Sequence, residues 1–102
     1  MALLVCYDEE RVWKNRLRDN YNSGEVDSAI VATHMMLEAW ELGIGSCWVG
    51  AFDADKIAEA FELPDYVKPV LVLTIGYPAD ESRPHKKMHD VYRPMEEMVE
   101  EF

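Results

Sequence analysis

Apolar and polar positions alternate along this chain in blocks whose periods differ, and the periods predict the elements. Residues 2–7 (ALLVCY) form a short continuous apolar run, which predicts a strand buried on both faces. A central strand so early implies that sequence precedes it or that a partner covers an edge. Residues 8–20 are highly charged, with Val12, Trp13 and Leu17 at helical spacing, and predict a short amphipathic helix. Residues 20–25 (NYNSGE) have the composition of a loop.

The strongest helical pattern covers residues 26–42. Val26, Ala29, Ile30, Thr33, Met36, Leu37 and Trp40 recur at three- and four-residue spacing. Ala32, Met35 and Ala39 lie off that stripe and are apolar too. A helix apolar on more than one face belongs deep in a domain or across a subunit interface. Ser23 or Asp27 is placed to cap its start, and Gly43 stands where a left-handed C-terminal cap belongs.

Residues 43–53 (GIGSCWVGAFD) place glycines at 43, 45 and 50 around the β-prone run Cys47-Trp48-Val49, which predicts turn, short strand, turn. Asp53 is suited to cap a helix over 54–61, ended by Leu63-Pro64. Residues 69–77 (PVLVLTIGY) predict a second strand apolar on both faces. From Pro78 the chain is rich in proline and charge, and Pro94 is placed to start a last short helix over 95–101. The expectation is one α+β domain over residues 1–102, with 78–102 as a basic, then acidic, tail.

Composition narrows the function classes. An apolar fraction of 49% in 102 residues fits a folded domain. A net charge of −10 argues against nucleic acid or an anionic membrane as a partner and fits a cytoplasmic protein. No run approaches the roughly 20 apolar residues of a membrane span. Cys6 and Cys47 have neither metal-site spacing nor a CxxC arrangement, so free thiols in a reducing compartment are expected.

Candidate chemistry is sparse. The glycines at 43, 45 and 50 do not fit a dinucleotide fingerprint, and they follow a helix rather than a strand. Their chemical use would be close approach of backbone to a flat ligand, with N–H groups near Gly50 and Ala51 directed at a ring nitrogen or carbonyl. Arg83, Lys86, Lys87 and Arg93 gather within residues 82–93, where Lys87 and Arg93 are suited to neutralise a phosphomonoester. The competing reading is a solvated loop that offsets the acidic end. His34 reads as an ordinary helix residue. No nucleophile–base set and no carboxylate pair has catalytic spacing.

The order of these pieces resembles the C-terminal region of the nitroreductase family. The pieces are ALLVCY, Asp27-Ser28-Ala29 opening a helix that runs into MMLEAWELGIGSCWVG, Phe52-Asp53 and a helix ending at Phe61 and Leu63-Pro64, PVLVLTIGYP, and a tail reaching Arg93-Pro94-Met95. The resemblance implies an FMN-binding α+β fold with a mixed or antiparallel sheet and flanking helices, working as an intertwined homodimer. It implies transfer of reducing equivalents from NAD(P)H through flavin to a small acceptor such as a nitro compound or quinone. By position, Trp48, Val49, Gly50 and Ala51 match the segment along the flavin ring. Arg93, with Lys87 as second choice, matches the basic residue at the FMN phosphate. The family's Arg/Ser-rich clamp and the helix after it are not found in this sequence. The chain therefore looks truncated at its N-terminus, with a companion chain or upstream segment supplying that half. The alternative expectation is a flavin-free dimerisation module that keeps the family's C-terminal core.

Overall fold

A computed structural model describes residues 1–83 and 91–101. In chain order the elements are β1 (Ala2–Asp8), β2 (Lys14–Asn15), β3 (Tyr21–Asn22), α1 (Gly24–Glu41), β4 (Gly45–Val49), α2 (Ala54–Ala60), β5 (Val67–Gly76) and α3 (Met95–Met98). The architecture is α+β. β5 is the middle of a three-stranded antiparallel sheet ordered β1-β5-β4, while β2 and β3 form a separate two-stranded ladder.

The centre of the sheet is where the apolar run of β5 meets neighbours on both sides. Leu71 and Leu73 are 0% exposed and form the core with Val5 and Ala32. Leu3, Met35, Met36, Val70 and Ile75 pack around them. Pro69 cannot donate a ladder hydrogen bond, and the pairing slips beside it: Val5 faces Leu71, but Cys6 faces Pro69. The bulge at Val70 lets a central strand carry a proline. The expectation for residues 2–7 is corrected here. β1 is an edge strand of this sheet, and only its Val5 is buried, because α1 covers one face and none of the described residues pairs with the outer edge.

Residues 8–20 are not a helix. The Asp8 carboxylate accepts from the N–H groups of Glu10 (2.9 Å) and Arg11 (3.2 Å), and the Asn15 side chain accepts from Leu17 N–H (3.0 Å). Asp19 and Asn20 adopt left-handed φ values of 48° and 54°. Asp and Asn side chains here offer the backbone local partners that compete with the helical ladder, so the segment becomes a string of turns closed by β2 and β3.

α1 divides its apolar residues between two faces. Of the apolar stripe, Val26, Ile30, Leu37 and Trp40 are exposed on this chain, Trp40 at 79%. The buried positions are Gly24, Ser28, Ala32 and Ala39, with Met35 beside them. Small side chains let the helix axis approach the sheet closely, so the face of least bulk is the one that packs. Ser23 is the N-cap residue, but its hydroxyl donates to Asp27 rather than capping a backbone N–H. The C-terminus ends as expected: Gly43 takes φ 71°, its N–H donates to Trp40 (2.9 Å), and Ile44 N–H donates to Ala39 (2.8 Å). These are the two bonds of a Schellman cap. α2 repeats the motif with Glu62 at φ 51° and bonds Glu62 to Glu59 and Leu63 to Ala58, and Asp53 caps its start by accepting from Lys56 N–H (3.1 Å).

Candidate functional site

The register places three chain segments at one end of the sheet. Asp8 pairs with Val67 and Val49 with Val72, so β1 and β4 both leave β5 toward its N-terminal end. α1 begins there as well, with Gly24 packed against the ring of Tyr7. The segment after β1, the start of α1 and the loop after β4 therefore share one end of the fold.

The end of β4 and the loop after it hold the four expected ring-binding positions. Trp48 and Val49 close the strand, opposite Leu73 and Val72. Trp48 is partly exposed, and Gly50 and Ala51 are exposed. The loop is pinned by Phe52 N–H donating to the Gly50 carbonyl (3.2 Å), while among the described residues the Gly50 and Ala51 N–H groups meet no acceptor. A Cβ built on Gly50 would meet nothing nearer than the Trp48 indole nitrogen at 4.0 Å. The surface above Gly50 is open, and its backbone carries unpaired donors beside an indole. Free donors beside an indole, with open space above them, are compatible with a flat, acceptor-edged ring such as a flavin. Gly50 does not have a positive φ, so its value at this position is space, not left-handed backbone.

The expected phosphate ligands are less well placed by the fold. Arg93 is exposed and directly precedes Pro94, the N-cap of α3. No ion pair joins it to another described residue. Lys87 lies outside the described residues. Trp48 through Ala51 are consecutive at the end of β4, and Arg93 lies on the tail before α3.

The remaining reactive side chains have ordinary roles. Cys6 and Cys47 are both free thiols. Burial raises the Cys6 pKa, which keeps that thiol protonated and unreactive at neutral pH. His34 Nδ1 lies 2.8 Å from the Ile30 carbonyl on an exposed helix face. Among the described residues no His, Cys, Asp and Glu cluster is able to hold a metal, and no helix is long and apolar enough to cross a membrane. Sequence reasoning missed the segment between Asp8 and α1, where the turns bring Trp13, Lys14 and Arg16 to one surface. Four cations within residues 11–18 were the available signal, obscured by reading them around a helix.

Comparison with known proteins places the fold. Residues 1–77 match the model of the Nitroreductase family. The chain is 35% identical over 57 residues to an FMN reductase (NADPH) of Bacillus subtilis strain 168, covering 54% of this chain and 23% of that protein. It is 37% identical over 60 residues to an NADPH-dependent oxidoreductase of Staphylococcus aureus strain USA300, covering 57% of this chain and 24% of that protein. Among solved structures, a nitroreductase family protein of Clostridium difficile 630 superposes with a TM-score of 0.84 at 38% identity, over 97% of this chain and 57% of its own. A protein of Exiguobacterium sibiricum 255-15 solved in complex with FMN superposes with a TM-score of 0.65 at 30% identity, over 84% of this chain and 38% of its own. The match thus spans about a quarter of these curated relatives and little more than half of the first of these structures. With three quarters of its length inside the family model and a TM-score of 0.84 to a solved protein of that family, this chain belongs to the nitroreductase family.

Proposed function

We propose that this chain forms part of an FMN-dependent oxidoreductase that draws reducing equivalents from NAD(P)H and passes them to a small acceptor such as a nitro compound or a quinone. The observation that carries the proposal is the open Gly50–Ala51 loop, with two unpartnered N–H groups beside Trp48, in a chain of this family. Relatives named for FMN and NADPH support the same reading. When bound, the flavin supplies the redox chemistry, accepting hydride from the nicotinamide and releasing electrons to the acceptor.

The protein's own contribution is position and electrostatics. The β4–β5 pairing fixes the start of the loop, and the Asp53 cap of α2 fixes its far side, so the donors at Gly50 and Ala51 are held by rigid elements on both flanks. N–H groups directed at a ring edge stabilise negative charge that builds there on reduction. Arg93, with Lys87 as second choice, is assigned to the FMN phosphate, where a guanidinium offers a bidentate contact. The rest of the ligand set comes from a second copy of the chain or from a companion segment. The free thiols support a cytoplasmic setting.

Titration of the purified chain with FMN tests this directly. Saturable quenching of flavin fluorescence, lost when Gly50 is replaced by valine, is the expected result. A chain that leaves added FMN free both alone and with the companion segment supplied overturns the proposal and favours the flavin-free dimerisation module, for which the exposed apolar stripe of α1 is the supporting observation.

A further inference from the structure

The segment between β1 and α1 is out of character with the rest of the molecule. The chain carries −10 overall, yet Arg11, Lys14, Arg16 and Arg18 fall within eight consecutive positions. Two of the four have local partners. Arg11 pairs with Asp8 at 3.6 Å, and Arg18 lies over the ring of Tyr21 at 4.7 Å. Lys14 and Arg16 have no carboxylate within ion-pair distance among the described residues. Both line a shallow concavity of about 730 Å³ together with Trp13, Asn15 and Leu17. Trp13 is 63% exposed, although an indole ordinarily buries most of its surface.

The segment is nonetheless well held. The Trp13 carbonyl accepts from Ser23 N–H at 3.1 Å, β2 pairs with β3, and the Asp8 and Asn15 turns fix the corners. An indole and two unneutralised cations, presented on a tethered hairpin, make a surface for an aromatic ring carrying a phosphate. Glu10 also lines the concavity, where its carboxylate is suited to accept from a sugar hydroxyl and opposes any ligand whose charge is spread along its whole length.

The overall charge selects the size of that ligand. A nucleic acid strand or an anionic membrane would extend more than a Debye length, about 8 Å at physiological ionic strength, into the field of the acidic remainder. A single phosphomonoester next to one aromatic ring feels mainly Lys14 and Arg16. On this basis we infer that the hairpin between β1 and α1 binds the adenosine 2′-phosphate portion of the NADPH donor, with the adenine on Trp13 and the phosphate between Lys14 and Arg16. The inference rests on the oxidoreductase reading for the identity of the ligand. The hairpin leaves the sheet at the same end as the Gly50–Ala51 loop, from the opposite edge strand.

Adenosine 2′,5′-bisphosphate is the probe, titrated into the 102-residue chain with tryptophan fluorescence as readout and 5′-AMP as comparison. The expected result is saturable quenching that is lost in Trp13→Phe, with the bisphosphate binding about tenfold or more tightly than 5′-AMP, the value of one charge-assisted contact. Lys14→Ala and Arg16→Ala are surface changes that leave the circular dichroism spectrum intact, and each should reduce that preference severalfold. No saturable binding, equal binding of the two nucleotides, or a preference indifferent to both substitutions overturns the inference. FMN binding by the same sample is followed separately through flavin fluorescence. FMN bound without the bisphosphate sinks the hairpin site alone. The bisphosphate bound through these residues without FMN, with the companion segment supplied, upholds the hairpin site and sinks the flavin reading.

Discussion

Gly24 and Gly50 are both glycines beside aromatic rings, and they answer to different constraints. A Cβ on Gly24 would collide with the ring of Tyr7, because the first turn of α1 lies directly on the end of β1. Gly24→Ala should destabilise the chain by about 1–3 kcal/mol, the usual cost of overpacking. Thermal melts of Gly24→Ala, Tyr7→Leu and the double variant check this: with the ring gone, the alanine should cost little, so the two effects should not add. At Gly50 the fold has room and the φ is not left-handed, so Gly50→Val should leave the melting temperature within the range of a surface change, about 0.5 kcal/mol. It should lower FMN affinity because a branched side chain occupies the space over the loop. Equal FMN affinity in the two proteins would remove the loop from the site. Arg93 makes the charge-based counterpart. Replacing it with alanine should weaken FMN by about 1.5–3 kcal/mol, roughly ten- to a hundredfold, and leave riboflavin, which has no phosphate, unaffected. Arg93→Lys should recover only part of the loss, since a point charge lacks the guanidinium fork. An unchanged FMN-to-riboflavin preference would assign Arg93 to the acidic tail instead.

At the scale of elements, the sequence was most legible where a local rule has one solution. The alternating glycines and β-prone residues of 43–53 yielded β4 and its flanking turns, Asp53 yielded the cap of α2, and Gly43 yielded the end of α1. Legibility failed where two rules competed. Spacing alone favoured a helix at 8–20, but Asp8, Asn15, Asp19 and Asn20 supplied turn partners along the same stretch. In α1 the period and the apolar character of more than one face were legible, but not which face meets the sheet: hydropathy counts Trp40 and Leu37 above Ala32 and Ala39, whereas the buried positions are the small residues. The candidate site was legible as a loop of small residues after a strand, but the hairpin surface of Trp13, Lys14 and Arg16 was hidden by the wrong element assignment. One cap now offers a test of element ends. α1 and α2 finish with the same pair of hydrogen bonds, one with Gly43 and the other with Glu62 in the left-handed position. A residue with a Cβ costs about 1–2 kcal/mol there, offset partly by the greater unfolded-state entropy of glycine. Glu62→Gly should therefore stabilise the chain by about 0.5–1 kcal/mol in a denaturant melt, and a lowered midpoint would show that Glu62 holds α2 through its side chain.

For the whole molecule, the surface is too large for the mass. A compact protein of 11.8 kDa exposes about 5,900 Å². This chain exposes 9011 Å², and its radius of gyration is 17.0 Å where about 13 Å is usual for its length. The excess of about 3,000 Å² is on the scale of an obligate interface. Much of it is apolar: Val26, Ile30, Leu37 and Trp40 along α1, and Val91, Tyr92, Met95, Met98 and Val99 along the tail. The expected consequence is association at micromolar concentration, read by sedimentation velocity as a species of at least twice the chain mass. Trp40 is the most exposed large apolar residue of α1, so Trp40→Glu should weaken that association by about 2 kcal/mol or more, about thirtyfold in Kd. Salt separates this contact from the hairpin site. Two chains of −10 repel, so added salt should tighten their association by screening the repulsion while apolar burial persists. The same salt should weaken adenosine bisphosphate at Lys14 and Arg16, where the attraction itself is Coulombic. A chain that stays monomeric at high protein and high salt would mean that α1 and the tail leave their apolar faces to water, and the surface excess would then need another cover than a second copy.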